Sequence, residues 1–179
     1  MQLFRPMTKQ TFESVYREQI AELCDAEQQM IENMPSMLRA ASSQELKSAF
    51  EIHLAETKEQ LTRLEIILAD MPAPRPRNLS DPMRALLAKS RLVTIRHEGS
   101  PASDAALIAV AQQIEYYEIS AYSSARMLAR MLGHERAAML LGKSMQQEQD
   151  TAGDLAEIAE AVIMGEELED AVLEEPVPA

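Results

Sequence analysis

Glu27, His53, Glu56, Glu115, Glu118 and Glu148 recur at matching places in four long helical stretches of the chain. Projected at about 100° per residue, Glu27 falls inside the stripe of Leu23, Met30 and Met34, and His53 falls between Phe50 and Thr57. Glu118 lies among Ile114, Ala121 and Ala125, and Glu148 among Leu141, Met145 and Ala152. Glu56 and Glu115 lie on the flanks of their stripes, from which a side chain can still lean inward. An unpaired charge avoids an apolar interior, because its desolvation is expensive. Carboxylates and an imidazole pointed at one another from four helices therefore imply shared cations. His53-x-x-Glu56 and Glu115-x-x-Glu118 are i, i+3 pairs, each presenting two ligands on one side. Bridging carboxylates with an imidazole suit two hard or borderline ions: iron, with manganese or another divalent metal as the alternative.

Taken singly, each of these residues has a plainer role. An isolated Glu on a helix is a solvated residue, a lone His is a partly buried one, and no single Glu-x-x-Glu is a motif. Only the joint pattern, one inward acid on each of four helices at compatible depth, points to a metal. Glu18, Glu22, Glu59, Glu65, Glu157 and Glu160 are assigned to a solvated face. His97 and His134 fall at helix ends as capping or surface groups. Tyr16, Tyr117 and Tyr122 are read as packing residues that could also donate hydrogen bonds to a metal site. The 12 methionines occupy stripe positions where gap-filling accounts for them. No Gly-rich phosphate loop or nucleophile elbow is present.

The elements that must position the six residues are helices throughout. Five Gly, no Trp and 4% aromatics, beside plentiful Ala, Leu, Met, Glu and Gln, favour an all-α chain. The first long helix is expected to open near Thr11, with Thr8 as the competing start, and Pro35 to kink or briefly break it. Ser42 and Glu45, in capping-box spacing, mark the start of a second helix running to about Asp70. Pro72, Pro74, Pro76 and Pro82 make 71–81 an extended connection, followed by a short amphipathic helix over 83–97 that Gly99, Ser100 and Pro101 end. A third long helix begins near Ser103 and closes at Gly133; a fourth runs to a stop at Gly165. The tail 166–179 is acidic, contains Pro and is expected to be disordered, leaving 1–165 as one domain. Two helix pairs joined by a long crossover carrying a short extra helix match ferritin-like connectivity better than a simple up-and-down bundle.

Charge and composition narrow the function. A net charge of -12 argues against binding nucleic acid or an anionic membrane, both of which need basic surfaces. The single Cys24 rules out an intramolecular disulfide and fits a reducing compartment. No apolar run is long enough to span a membrane, and the start lacks the apolar core of a signal peptide, so a cytoplasmic location is expected.

The stretches DAEQQM (25–30), LKSAFEIHLAETKEQLTRLE (46–65), DAALIAVAQQIEYYEISAY (104–122) and LGKSMQQEQ (141–149) resemble the YciE/YciF family of bacterial ferritin-like stress proteins. The resemblance covers about residues 10–163. It implies a ferritin-like four-helix bundle, a homodimer and a di-metal carboxylate site. Glu27 stands in its first-helix AE motif, His53 and Glu56 in its HLxET motif, Glu115 and Glu118 in its QxxEYYEI-like motif, and Glu148 in its fourth-helix acidic motif. This chain departs from the family at Ala152, where relatives commonly carry a second acid, and has Thr151 where many ferritin-like proteins place His. The expected function is that of a metal-binding stress protein able to react with peroxide or oxygen. The alternative is a non-catalytic interaction module in which metal only staples the bundle, and an iron-storage cage is less favoured.

Overall fold

In the computed structural model, which describes residues 8–71, 80–97 and 101–173, the chain forms five helices. These are α1 (Lys9–Ala40), α2 (Gln44–Ala69), α3 (Asp81–His97), α4 (Pro101–Leu132) and α5 (Glu135–Leu173). Helices α1, α2, α4 and α5 form the bundle, and α3 rides on the crossover, packed against α1 and α4. The all-α, ferritin-like architecture expected from the sequence is the one observed.

The apolar core is split in two. One cluster joins Met30, Met34 and Met37 of α1, Leu46 and Phe50 of α2, Met83 and Leu87 of α3, Leu107, Ile108 and Ile114 of α4, and Leu155 of α5. The other joins Tyr16, Ile20 and Leu23 of α1, Leu64 and Ile67 of α2, Tyr122 and Leu128 of α4, and Leu141 of α5. The numbering runs from the second cluster to the first in α1 and α5, and from the first to the second in α2 and α4. Helices α2 and α4 are therefore parallel. Parallel neighbours cannot be joined by a tight turn, so the connection between them must travel back along the bundle, and α3 is part of that return.

Buried Ser80 pins the start of α3. Its backbone N–H donates to Asp25 Oδ2 at 2.7 Å, its carbonyl accepts from Gln29 at 3.1 Å, and its hydroxyl pairs with Tyr117 at 2.7 Å. The proline-rich stretch 72–79, together with Gly99 and Ser100, lies outside the described residues.

Several boundaries differ from expectation. Thr8, not Thr11, caps α1, its hydroxyl accepting from the Thr11 N–H at 3.3 Å. Helix α1 also continues through Pro35, which is exposed; the ring removes one backbone donor on the solvent side, where water can satisfy the freed carbonyl. Ser43 rather than Ser42 caps α2, accepting from the Leu46 N–H at 3.3 Å. Helix α5 does not stop at Gly165 but extends to Leu173, because the residues that follow are mostly Glu, Ala, Leu and Val with no proline before Pro176. The end of the expected tail, 174–179, lies outside the described residues. Gly133, at φ +83°, takes the left-handed conformation that ends α4, with the His134 N–H reaching back to the Ala129 carbonyl at 2.9 Å.

Asp104 closes the end of the bundle opposite that turn. Its two carboxylate oxygens accept from the Ser42 and Ser43 N–H groups, each at 2.7 Å, and the side chain is buried. An anion in the first turn of α4 thus also caps α2, satisfying donors that no helical bond reaches. Asp104→Ala is expected to lower stability by about 2 kcal/mol, since both donors lose a charged acceptor. Asp104→Asn, which keeps one acceptor, should recover part of that loss in urea unfolding.

Candidate metal centre

The gap between the two apolar clusters is where every helix turns polar. On α1, Glu27 sits between Leu23 and Met30; on α2, His53, Thr57 and Gln60 sit between Phe50 and Leu64. On α4, Glu115 and Glu118 sit between Ile114 and Tyr122; on α5, Glu148 and Thr151 sit between Leu141 and Leu155. All of these polar residues are buried, and Glu27, His53, Glu115, Glu118 and Glu148 are each no more than 2% exposed. One helical level of the bundle is therefore polar and ionisable, and flanked by apolar packing on both sides.

The structure brings four of the six residues into one group. Ligand atoms of His53, Glu115, Glu118 and Glu148 all lie within 4.8 Å of one another. The imidazole stands between two carboxylates, with Nδ1 3.4 Å from Glu115 Oε1 and Nε2 3.4 Å from Glu148 Oε2. These separations allow an ion pair when His53 is protonated but exceed ordinary hydrogen-bond length. Glu27 borders the group. One of its oxygens accepts a short hydrogen bond from the Tyr122 hydroxyl, and the other has no partner. Glu56 stands apart, half-buried at the seam of α2 and α5, where the Gln147 amide donates to it at 3.1 Å.

The electrostatics follow from crowding. Burial, then the neighbouring Glu148, pushes the Glu27 carboxyl well above the usual carboxylate range, against the opposing Tyr122 hydrogen bond and the Arg63 charge. Glu115 is pushed well up by burial and then by Glu148, Glu118 and Glu27, and Glu118 by burial and then by Glu27 and Glu148. Burial also raises Glu148, but His53, with Glu115 and Gln60, outweighs it and holds that carboxyl below its ordinary value. Within the cluster the favoured metal-free arrangement thus places charge on Glu148 beside His53 and protons on its neighbours. Burial and Glu27 likewise push the Tyr122 phenol well up, so it remains a donor.

Both oxygens of Glu115, Glu118 and Glu148, one oxygen of Glu27 and Nε2 of His53 are buried without a hydrogen-bond partner. Buried polar atoms are rarely left in this state, and each costs roughly 1–3 kcal/mol or more. Lone pairs converging without donors are what a bound cation satisfies, so the donor set fits a metal. Carboxylate oxygens with one imidazole nitrogen favour iron, manganese or zinc over softer ions.

Two neighbours were not singled out in the sequence. Gln60, fully buried, follows His53 by seven positions on the same face of α2 and helps hold the charge on Glu148. Arg63 is a buried cation that donates to Gln147 at 2.6 Å, Ser144 at 3.1 Å and Glu59 at 2.7 Å. Its charge lowers the Glu27 carboxyl, and it follows Glu56 by the same seven-residue step. That heptad spacing was the available signal. Tyr122, read as packing, also serves as a hydrogen-bond donor to Glu27.

A bundle of two helix pairs with a returning crossover and a carboxylate–histidine level at its centre defines the ferritin-like class. The chain belongs to the family described as a domain of unknown function, DUF892, which matches residues 11–168. It is 32% identical to protein YciF of Escherichia coli K12 over 154 residues, covering 86% of this chain and 93% of that protein. The crystal structure of the E. coli stress protein YciF superimposes with a TM-score of 0.82 at 31% identity, covering 86% of this chain and 97% of the other. YcfI of Rhodopseudomonas palustris matches with a TM-score of 0.78 at 25% identity, over 86% and 98% of the two chains. Among the described residues, no helix is long and apolar enough to cross a membrane.

Proposed function

We propose that this protein is a cytoplasmic, YciF-like stress-response protein that binds two divalent metal ions, iron or manganese, at the buried level of its bundle. The observation that carries this reading is the set of unpartnered carboxylate oxygens on Glu115, Glu118 and Glu148 gathered with His53 in the buried level of the bundle. His53, Glu115, Glu118 and Glu148 would hold one ion. Glu27, on the α1 side, would help hold a second, and Glu56 could join it only by leaving the Gln147 amide that now donates to it at the α2–α5 seam. Thr151 and Ala152, buried one turn beyond Glu148, offer no anionic ligand, which leaves coordination open on the α5 side. Bound iron would supply electrons to peroxide or oxygen arriving at such an open position. The chain's own residues orient the ligands, and the Tyr122 hydroxyl, hydrogen-bonded to Glu27, keeps a proton beside the cluster.

The same sparse α5 side supports a second reading, in which metal only neutralises the carboxylates and stabilises the bundle. Elemental analysis of untagged protein prepared without chelator tests the first point. About two ions per chain are expected, and Glu118→Ala combined with Glu148→Ala should reduce this to near zero; unchanged metal content would refute the site. Adding peroxide to the iron(II)-loaded protein separates the readings, since a purely structural ion stays reduced.

A further inference from the structure

Of Glu27, His53, Glu56, Glu115, Glu118 and Glu148, only Glu56 keeps substantial contact with water. A chain of hydrogen bonds across the α2–α5 seam holds it there. The Gln147 amide nitrogen donates to Glu56 Oε1 at 3.1 Å, and the Gln147 oxygen accepts from Arg63 Nη1 at 2.6 Å. Arg63 is buried and is itself clamped, donating to Ser144 at 3.1 Å and to Glu59 at 2.7 Å. A guanidinium has donors only. With Arg63 against its oxygen, the Gln147 amide cannot turn over. That turn would set its NH₂ group against the guanidinium and its oxygen against the Glu56 carboxylate. Arg63 therefore fixes Gln147 as a donor, and Gln147 fixes Glu56.

The chain of bonds is built beside the cluster. Gln147 adjoins Glu148 in α5, and Glu56 lies three positions after His53 in α2. To join the cluster, Glu56 has to change rotamer and break its bond to Gln147.

We propose that Arg63 and Gln147 form a latch that holds Glu56 outside the cluster, so that the bundle binds one ion tightly and a second, exchangeable ion about 10-fold more weakly. The inference rests on the metal reading above and adds an order of filling to it. The first ion finds His53, Glu115, Glu118 and Glu148 already gathered, with carboxylate oxygens that have no hydrogen-bond partner to give up. The second has to take Glu56 from Gln147, and a hydrogen bond to a carboxylate is of the stronger kind. It also approaches a fixed cation, because the Arg63 charge is felt at Glu27, on the second ion's side. Arg63 and Gln147 are thus positioning residues, acting on the ion through Glu56.

Calorimetric titration of zinc into the metal-free full chain should show two steps, the second about 10-fold weaker than the first. Gln147→Met keeps the length of the side chain and removes both hydrogen bonds. It should tighten the second step about 10-fold and leave the first unchanged, with the fold intact by circular dichroism. Arg63→Lys keeps the charge but loses the fork, and should give a smaller gain in the same direction. Glu56→Gln should abolish the second step, and in that background Gln147→Met should have no further effect on zinc binding. A residue acting through packing alone would show no such dependence on Glu56. A wild type that binds no zinc would overturn the metal reading and the latch together. Two steps of equal affinity, a second step unmoved by Gln147→Met, or one that survives Glu56→Gln would overturn the latch alone.

Discussion

Metal-free protein is expected to gain stability as the pH falls from about 8 to about 5, while metal-loaded protein loses it, so the two curves converge in acid. The carboxyls of Glu27, Glu115 and Glu118 are raised in the fold above their ordinary value of 4.5, chiefly by burial. A group with a raised folded pKa holds its proton more tightly folded than unfolded. Its contribution is fully present below 4.5 and is lost as pH rises through the raised values. Glu148 works in the opposite sense, because its folded value is lowered; its contribution is present above 4.5 and fades only below that. Between pH 5 and 8 the three raised groups therefore set the slope. Metal reverses it, since ligation requires the deprotonated forms and releases their protons. At a free ion concentration a thousand times Kd, each independent ion adds about 4 kcal/mol. For a chain of this size that raises Tm by about 8–16 °C near pH 8. Calorimetry with manganese, and with chelator, across the pH range reads both curves. A metal-free protein that instead gains stability toward pH 8 would mean the carboxylates are satisfied as anions.

The parts of this site that could be read from sequence are those set by helical phase alone. Glu27, His53, Glu118 and Glu148 project into apolar stripes, and an acid on such a stripe has nowhere to go but the interior. The two flank residues could not be separated in this way. Glu115 turned in and Glu56 remained half-exposed, and the difference lies in what packs alongside. Glu115 faces His53 and Glu148 across the bundle, whereas Glu56 meets Gln147 at a seam. Helix order and the long crossover were legible because prolines and glycines punctuate the chain strongly. Cap positions shifted by one to three residues, because adjacent hydroxyls such as Ser42 and Ser43 are locally equivalent. The choice between them coincides with Asp104, which binds both of their N–H groups from 61 and 62 residues away. Long-range choices of this kind leave no periodic trace. Gln60 and Arg63 are legible only through their heptad step from His53 and Glu56, since an amide or a guanidinium on a stripe is not in itself a metal ligand.

Glu118→Gln should stabilise the metal-free protein by about 3 kcal/mol near pH 8 while abolishing the metal-induced rise in Tm. A carboxyl whose folded pKa is raised must take up a proton to fold at pH 8, and that uptake costs about 1.4 kcal/mol per unit between its unfolded and folded values; an amide of the same shape avoids the cost. Glu118 is such a group, being buried, with both oxygens unpartnered and with its carboxyl pushed well up by burial and then by Glu27 and Glu148. The Gln side chain keeps the volume, so no cavity offsets the gain, and its amide hydrogens can donate to the acids that Glu118 repels. Exposed Glu157→Gln serves as the control for general charge reduction, because it changes net charge equally without touching the cluster. The variant should also flatten the acid-side gain in metal-free stability, since one of the three groups that produce it is gone. A loss of stability in Glu118→Gln would show that the Glu118 anion is itself satisfied in the fold, making the cluster a structural polar network. A gain would show that the cluster holds its four buried glutamates at a cost in stability, and that cost is recovered only when a cation is bound.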